Sequence, residues 1–211
     1  IEIGKHLVHR VAVGHADITG DDFASIFASS ISGNHRASPL GIADVCWNGC
    51  AWTVKTVKAA RPLSQTQVRA ISGRNSTDYS AGIENPRADV QATGRAVLEI
   101  WNARVDESLR QHDDLRVVVM IRNMASLEFS IFETEAARYV PANFHWSINR
   151  KGNFEARDTQ TGAHRFTWQP HGSQFTVKHT VPASARKFRI TRRPGIIEEH
   201  HVLNIIGFDT D

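Results

Sequence analysis

The sequence predicts a single α/β (α+β) domain, and three observations carry that reading. Two segments show apolar residues at helical spacing, two others are apolar runs of strand length, and the last third alternates short β-rich stretches with Gly, Pro and Asn turns. At 211 residues the chain suits one core rather than two. The expected organisation is one domain over 1–211, with a catalytic core over 1–135 and a β-rich portion of the same domain over 136–211.

The elements follow in order. Thr19 before Gly20-Asp21-Asp22 is a helix start, with acids where the helix dipole favours them, and Phe23, Ile26, Phe27 and Ile31 form its apolar face up to about Gly33. Val45-Cys46-Trp47 and Cys50 to Val57 are strands joined by Asn48-Gly49, the pair that best tolerates the positive φ angles of a two-residue type I′ turn. Ile71 to Ser80 is a polar, Gly-containing loop. Val90 to His112 is a helix, with Val97, Ile100, Trp101, Val105 and Leu109 on one stripe. Leu115–Ile121 and Leu127–Phe132 are strands, the first apolar enough to lie centrally in a sheet. Beyond Pro141, turns at Lys151-Gly152-Asn153, Thr161-Gly162 and Pro170-His171-Gly172 separate short strands, the last near Phe188-Arg189-Ile190.

Composition excludes several functions. No run of roughly 18 apolar residues exists, so a helical membrane span is excluded. The segment Ile1 to His6 lacks the basic and apolar regions of a secretion signal, and two cysteines make no disulfide scaffold, so a cytoplasmic protein is expected. There is no P-loop, dinucleotide fingerprint or Gly-x-Ser-x-Gly elbow, hence no nucleotide cofactor is expected. The eleven histidines lack zinc-site spacing.

Charge points to a partner. No Asp or Glu lies between Val45 and Thr77, and residues 136–197 carry eleven Lys or Arg against Glu155 and Asp158. Arginine outnumbers lysine 19 to 6, and its planar fork matches phosphate oxygens and guanine edges. Double-stranded DNA is the expected partner. Lys58, Arg74, Asn75, Asn149, Arg150, Lys151, Gln169, His171 and Gln174 are the candidate contacts, because Arg and Lys suit phosphate while Asn and Gln suit base edges. Trp146, Trp168 and Phe175 between them are expected in the core.

The hairpin carries the chemistry. A two-residue loop sets Trp47 opposite Cys50, Cys46 opposite Ala51, Val45 opposite Trp52 and Asp44 opposite Thr53. Facing residues share a side of the sheet, so Asp44, Thr53 and Lys55 project from one face, Trp52 and Val54 from the other. Cys46 and Cys50 fall on opposite faces and are not expected to pair.

The segment Gly41-Ile42-Ala43-Asp44 through Thr53-Val54-Lys55 resembles the PD-(D/E)XK nuclease superfamily over about fifteen residues. The resemblance implies a restriction-endonuclease-like mixed central sheet flanked by helices, with the basic, β-rich C-terminal part contacting DNA. It further implies a Mg²⁺-dependent DNA endonuclease, most simply a type II restriction enzyme, with Asp44 binding the metal and Lys55 orienting the attacking water. Thr53 stands where the family has a carboxylate. Its hydroxyl could support a metal-bound water, and Glu2 is the preferred source of the missing acid, with Asp17, Asp21 and Asp22 behind it. Cutting both strands of a palindrome implies a homodimer. The alternative is a non-catalytic DNA-binding protein, or a decayed nuclease, on the same scaffold.

Overall fold

A computed structural model of the protein describes residues 2–36 and 42–206, which form five α-helices and two β-sheets. Helix α1 (Glu2–Ala12) is followed by α2 (Gly20–Ile31), and the predicted start of α2 is built as a capping box. Thr19 accepts from the Asp22 backbone N–H, and the Asp22 carboxylate accepts from the Thr19 backbone N–H. Strand β1 (Asn34–His35) leads to β2 (Val45–Trp47) and β3 (Cys50–Lys58). Asn48 and Gly49 between them take φ angles of 46° and 77°, as a type I′ turn requires.

Strand β4 (Gln67–Arg74) comes next, then the short α3 (Thr77–Ala81) and the long α4 (Val90–Leu109). The expected loop from Ile71 is in part a strand: Ile71 to Arg74 complete β4. Strands β5 (Asp114–Asn123) and β6 (Glu128–Glu135) follow, then a meander of β7 (Phe144–Ile148), β8 (Phe154–Asp158), β9 (His164–Gln169) and β10 (Gln174–Thr180). Strand β11 (Arg186–Arg189) and helix α5 (Glu199–Ile206) complete the described chain.

The first sheet has the order β1-β2-β3-β5-β6-β11 and the second β4-β10-β9-β8-β7. In the first, β3 and β5 pair in parallel, so the sheet is mixed, and Val117 to Ile121 on β5 are all buried, as a central strand should be. Alternation divides its two faces between two cores. Trp52, Val54, Val118, Met120, Phe129 and Ile131 pack with Leu7 and Val11 of α1 and Phe23, Ile26 and Phe27 of α2. Ala51, Val117, Val119, Ile121 and Phe132 pack on the opposite side with Val97, Trp101 and Val105 of α4 and with the inward residues of the second sheet.

Those inward residues include Trp146, Trp168 and Phe175, core residues as expected. Each aromatic ring here removes a large apolar area from water, and Tyr139, Phe144, Phe166 and Phe175 interlock edge-on or tilted. The boundary at residue 135 does not partition the sheets, because β4 joins the later strands and β11 returns to the earlier ones. Among the described residues, no helix is long and apolar enough to cross a membrane.

Candidate functional site

The register Val45↔Trp52, Cys46↔Ala51 and Trp47↔Cys50 is the one a two-residue turn dictates, and it brings Asp44, Thr53 and Lys55 together. Asp44 Oδ2 accepts from the Val54 backbone N–H at 2.7 Å and from the Thr53 hydroxyl at 3.3 Å, and Lys55 Nζ lies 3.8 Å from the same oxygen. Among the described residues nothing hydrogen-bonds Oδ1. Gly41 of the sequence segment lies outside the described residues.

The site occupies the face that looks toward α4 and the second sheet. Thr53 is buried, while the side chains of Asp44 and Lys55 keep only 29% and 19% of their exposure, so their charges meet partly shielded from water. Burial lowers the Lys55 pKa from its ordinary value, and the neighbouring Asp44 carboxylate opposes that shift.

From the facing sheet comes His179, which sequence reasoning missed. Phe175, Val177 and His179 alternate inward along β10, so the period-two pattern of that strand was the available signal. His179 is 5% exposed, and among the described residues its Nε2 has no hydrogen-bond partner. Burial, then the positive charges of Arg165 and Lys55, push its pKa down to about 4. Arg165 on β9 lies 5.8 Å from the centre of the Tyr139 ring and donates to the Lys178 carbonyl.

The expected second acid is not here. Leu7 and Val11 of α1 pack on the other face of the first sheet, and Glu2 at the exposed first turn of α1 is paired with Lys5 at 2.8 Å. The apolar spacing of the helix turns Glu2 away from the core and leaves it no path to Asp44. The weaker candidates are also engaged elsewhere: Asp17 with Arg122 and Lys58, Asp22 in the α2 cap and Asp21 with His35. Among the described residues, no three metal-ligating side chains cluster.

This bears on the Mg²⁺ the resemblance implies. A closed, protein-only cage does not fit one carboxylate. A single carboxylate with an open oxygen does fit an ion that keeps most of its waters and completes its shell with a substrate phosphate, which is the usual habit of Mg²⁺.

The expected DNA contacts divide three ways. Arg74 pairs with Gln174 and Gln174 with Gln169, and the β7–β8 turn carrying Arg150 and Lys151 and the β9–β10 turn carrying His171 lie at that same end of the second sheet. This end is about 17 Å along β10 from His179, counted at the strand rise. Asn75 requires correction. It is fully buried, its amide donates to the Val97 carbonyl at 2.8 Å, and its Oδ1 accepts from Arg104 at 3.1 Å, so it clamps β4 to α4 and cannot read a base. Asn149 likewise spends its side chain on Glu155 and on the backbone N–H groups of Lys151 and Asn153, ordering its own turn.

Lys58 sits at the far end of β3, 2.8 Å from Asp17, which also holds the buried Arg122 through two hydrogen bonds. Arg122 and Lys58 keep the Asp17 carboxyl well below its ordinary value. In the pocket of about 330 Å³ there, lined by Asp17, Lys58, Arg122 and Asn123, both cations are held by the one acid, so Lys58 is engaged within its own fold.

Cys46 and Cys50 face opposite sides, as the register demands. The Cys46 sulfur lies 3.4 Å from His112 Nε2, and the Cys50 thiol, beside Asp114, is pushed up to about 11 mainly by burial. Both are free thiols. Comparison with family models, curated proteins and solved structures finds no match for the chain.

Proposed function

We propose that the protein is a Mg²⁺-dependent DNA endonuclease of the PD-(D/E)XK type, acting in the cytoplasm as a type II restriction enzyme on specific double-stranded sites. The single observation that carries this reading is the Asp44–Lys55 pair, a carboxylate with one oxygen unbonded among the described residues beside a largely buried ammonium. A buried lysine is costly unless its charge is used, and a cation beside a carboxylate suits hydrolysis of a phosphodiester.

In this mechanism Asp44 supplies the one protein carboxylate for Mg²⁺, whose charge, when bound, polarises the phosphate oxygens. Its other oxygen stays fixed by the Val54 N–H, so the carboxylate is held in place before substrate arrives. Lys55 holds the attacking water by hydrogen bonding and opposes the negative charge that grows on the phosphate oxygens. The Thr53 hydroxyl, hydrogen-bonded to Asp44, keeps the carboxylate plane oriented. Arg74, Arg150, Lys151, Gln169, His171 and Gln174 contact the duplex at a distance from the chemistry, and two copies related by a two-fold axis would cut a palindrome.

One observation favours a second reading. With Thr53 in place of an acid and Glu2 on the other face, the scaffold could bind DNA without cutting it. Incubating the purified chain with mixed-sequence duplex in Mg²⁺ and in EDTA separates the two. Discrete fragments in Mg²⁺ alone are expected, whereas retardation without cutting refutes the endonuclease. In either case affinity should fall steeply as salt rises, in proportion to the phosphates contacted.

A further inference from the structure

Strand β7 is one edge of the second sheet, and its sequence Phe144-His145-Trp146-Ser147-Ile148 contains no Lys, Arg, Asp, Glu or Pro, the residues that usually keep an edge from pairing with another chain. The other edges have such protection: β1 is two residues long, β4 carries Arg69 and Arg74, and β11 carries Arg186, Lys187 and Arg189. Pairing with β8 shows which backbone groups of β7 point outward. Asn143 and Asn149 bond across to Thr159 and Asn153, so by alternation Phe144, Trp146 and Ile148 direct their N–H and C=O groups to the open side. Gln91 of α4 stands at the centre of that row. Its amide donates to the Trp146 carbonyl at 2.6 Å, and its amide oxygen accepts from the Trp146 N–H at 3.1 Å. Those are the two bonds a residue of a neighbouring antiparallel strand would make. Asn102, about three turns further along α4, makes the same reciprocal pair with Tyr139, at 2.7 and 2.8 Å.

The geometry points to Gln91 as a lock on a self-pairing edge: without its amide, β7 takes β7 of a second copy of this chain in its place, antiparallel about a two-fold axis at Trp146. The strand is self-complementary in that register. Trp146 meets Trp146 of the second copy, and the two exchange the bonds that Gln91 now holds. Phe144 meets Ile148. The Phe144 N–H is already spent on the Pro141 carbonyl, so each such pair adds one bond, from the Ile148 N–H to the Phe144 carbonyl. Among the described residues neither of those two groups has a partner. His145 faces Ser147 on the exposed side, where no like charges oppose each other. A groove of about 470 Å³ lined by Gln91, Arg95, Phe144 and Trp146 lies against this edge, where the incoming backbone would enter. In the parent the Gln91 bonds are intramolecular, so they prevail over a second copy at ordinary protein concentrations.

The test reads this pairing by disulfide cross-linking of the whole chain. In the proposed register residue 145 of one copy lies opposite residue 147 of the other as a non-hydrogen-bonded pair, with Cα atoms about 4.5 Å apart, which is within disulfide reach. His145→Cys and Ser147→Cys are therefore made in separate chains, once in the parent and once with Gln91→Ala. The two chains are mixed under mild oxidation and run on a non-reducing gel, with each alone as the control for linkage through the native thiols Cys46 and Cys50. With Gln91→Ala, cross-linked dimer is expected in the mixture only, about tenfold above the parent background. Gln91→Glu keeps an acceptor for the Trp146 N–H but turns a carboxylate toward its carbonyl, and should cross-link as the alanine variant does. Gln91 is exposed in the first turn of α4, so both changes leave the core intact, and thermal unfolding checks that the variants are folded. Equal cross-linking with and without the Gln91 amide, or none in either background, overturns the lock. Dimer formed by one cysteine variant alone overturns the two-fold at Trp146. No outcome depends on DNA or Mg²⁺, so the inference stands or falls apart from the nuclease reading.

Discussion

Replacing Asp44 should reveal how much the hairpin depends on it for structure as well as for chemistry. Asp44→Ala deletes the acceptor for the Val54 N–H, a charge-assisted bond of 2.7 Å, and removes the counter-charge 3.8 Å from Lys55. Breaking a fully buried ion pair from one side costs about 3–5 kcal/mol. Both side chains keep some contact with water, and Lys55 can shed its proton, because burial already favours the neutral amine. The expected loss is therefore about 3 kcal/mol, or roughly 6–12 °C in Tm for a domain of this size. Asp44→Asn keeps an acceptor for Val54 and should cost only about 1 kcal/mol. Urea unfolding followed by circular dichroism at pH 7 measures both. If alanine and asparagine variants match the parent within about 0.5 kcal/mol, the anchoring role assigned to Oδ2 is wrong. The comparison also decides how cleavage should be assayed. Asp44→Asn is the cleaner test of catalysis, since loss of cutting in a partly unfolded alanine variant would carry no mechanistic meaning.

Other outcomes follow from particular contacts. His179 is neutral in the folded protein with a pKa of about 4, against 6.5 when unfolded, so the unfolded state binds the extra proton between those values. Stability should fall as pH drops from 6.5 to 4, by up to about 3 kcal/mol, and His179→Phe should flatten that fall in urea melts at pH 7 and 4.5; equal slopes would refute it. Gly94→Ala places a Cβ on the Trp146 ring, where α4 meets β7, so a change that stabilises an exposed helix should here cost about 3 kcal/mol in Tm or urea midpoint. Asn75→Ala should destabilise by about 2–3 kcal/mol, yet leave duplex affinity unchanged in gel shifts below its melting temperature, because the side chain is spent on Val97 and Arg104.

Local chemistry was legible in the sequence where it was self-contained. Thr19 and Asp22 specify a capping box between themselves, and Asn48-Gly49 fixes a register that no distant residue can alter. The Asp44–Thr53–Lys55 face followed from that register alone. What stayed hidden depended on partners far along the chain. Gly73 looks like a turn residue, but it pairs with Phe175 inside a strand, and a Cβ there would meet the Arg104 guanidinium. Asn75 has the composition of a base reader, and only the approach of α4 and Trp168 shows that it is enclosed. Glu2 was misplaced for a similar reason. The stripe Ile3, Leu7 and Val11 shows which way α1 faces, but not which side of the sheet receives it. His179 was recoverable from alternation along β10, yet the two cations that help lower its pKa, Lys55 and Arg165, come from two other strands.

The interleaving of the two sheets bears on how the chain acquires its shape. Among the described residues strand β4 pairs with β10 alone, so residues 67–74 must wait for residues 174–180 before their backbone groups are matched. Closing so long a loop is slow, and until it closes an alternating strand stands with an open edge during synthesis. Separate expression of 1–135 and 136–211 would strand β4 in one piece and β11 in the other. Each half should be prone to aggregate alone, and mixing the two during refolding should restore the missing strand pairings in both sheets.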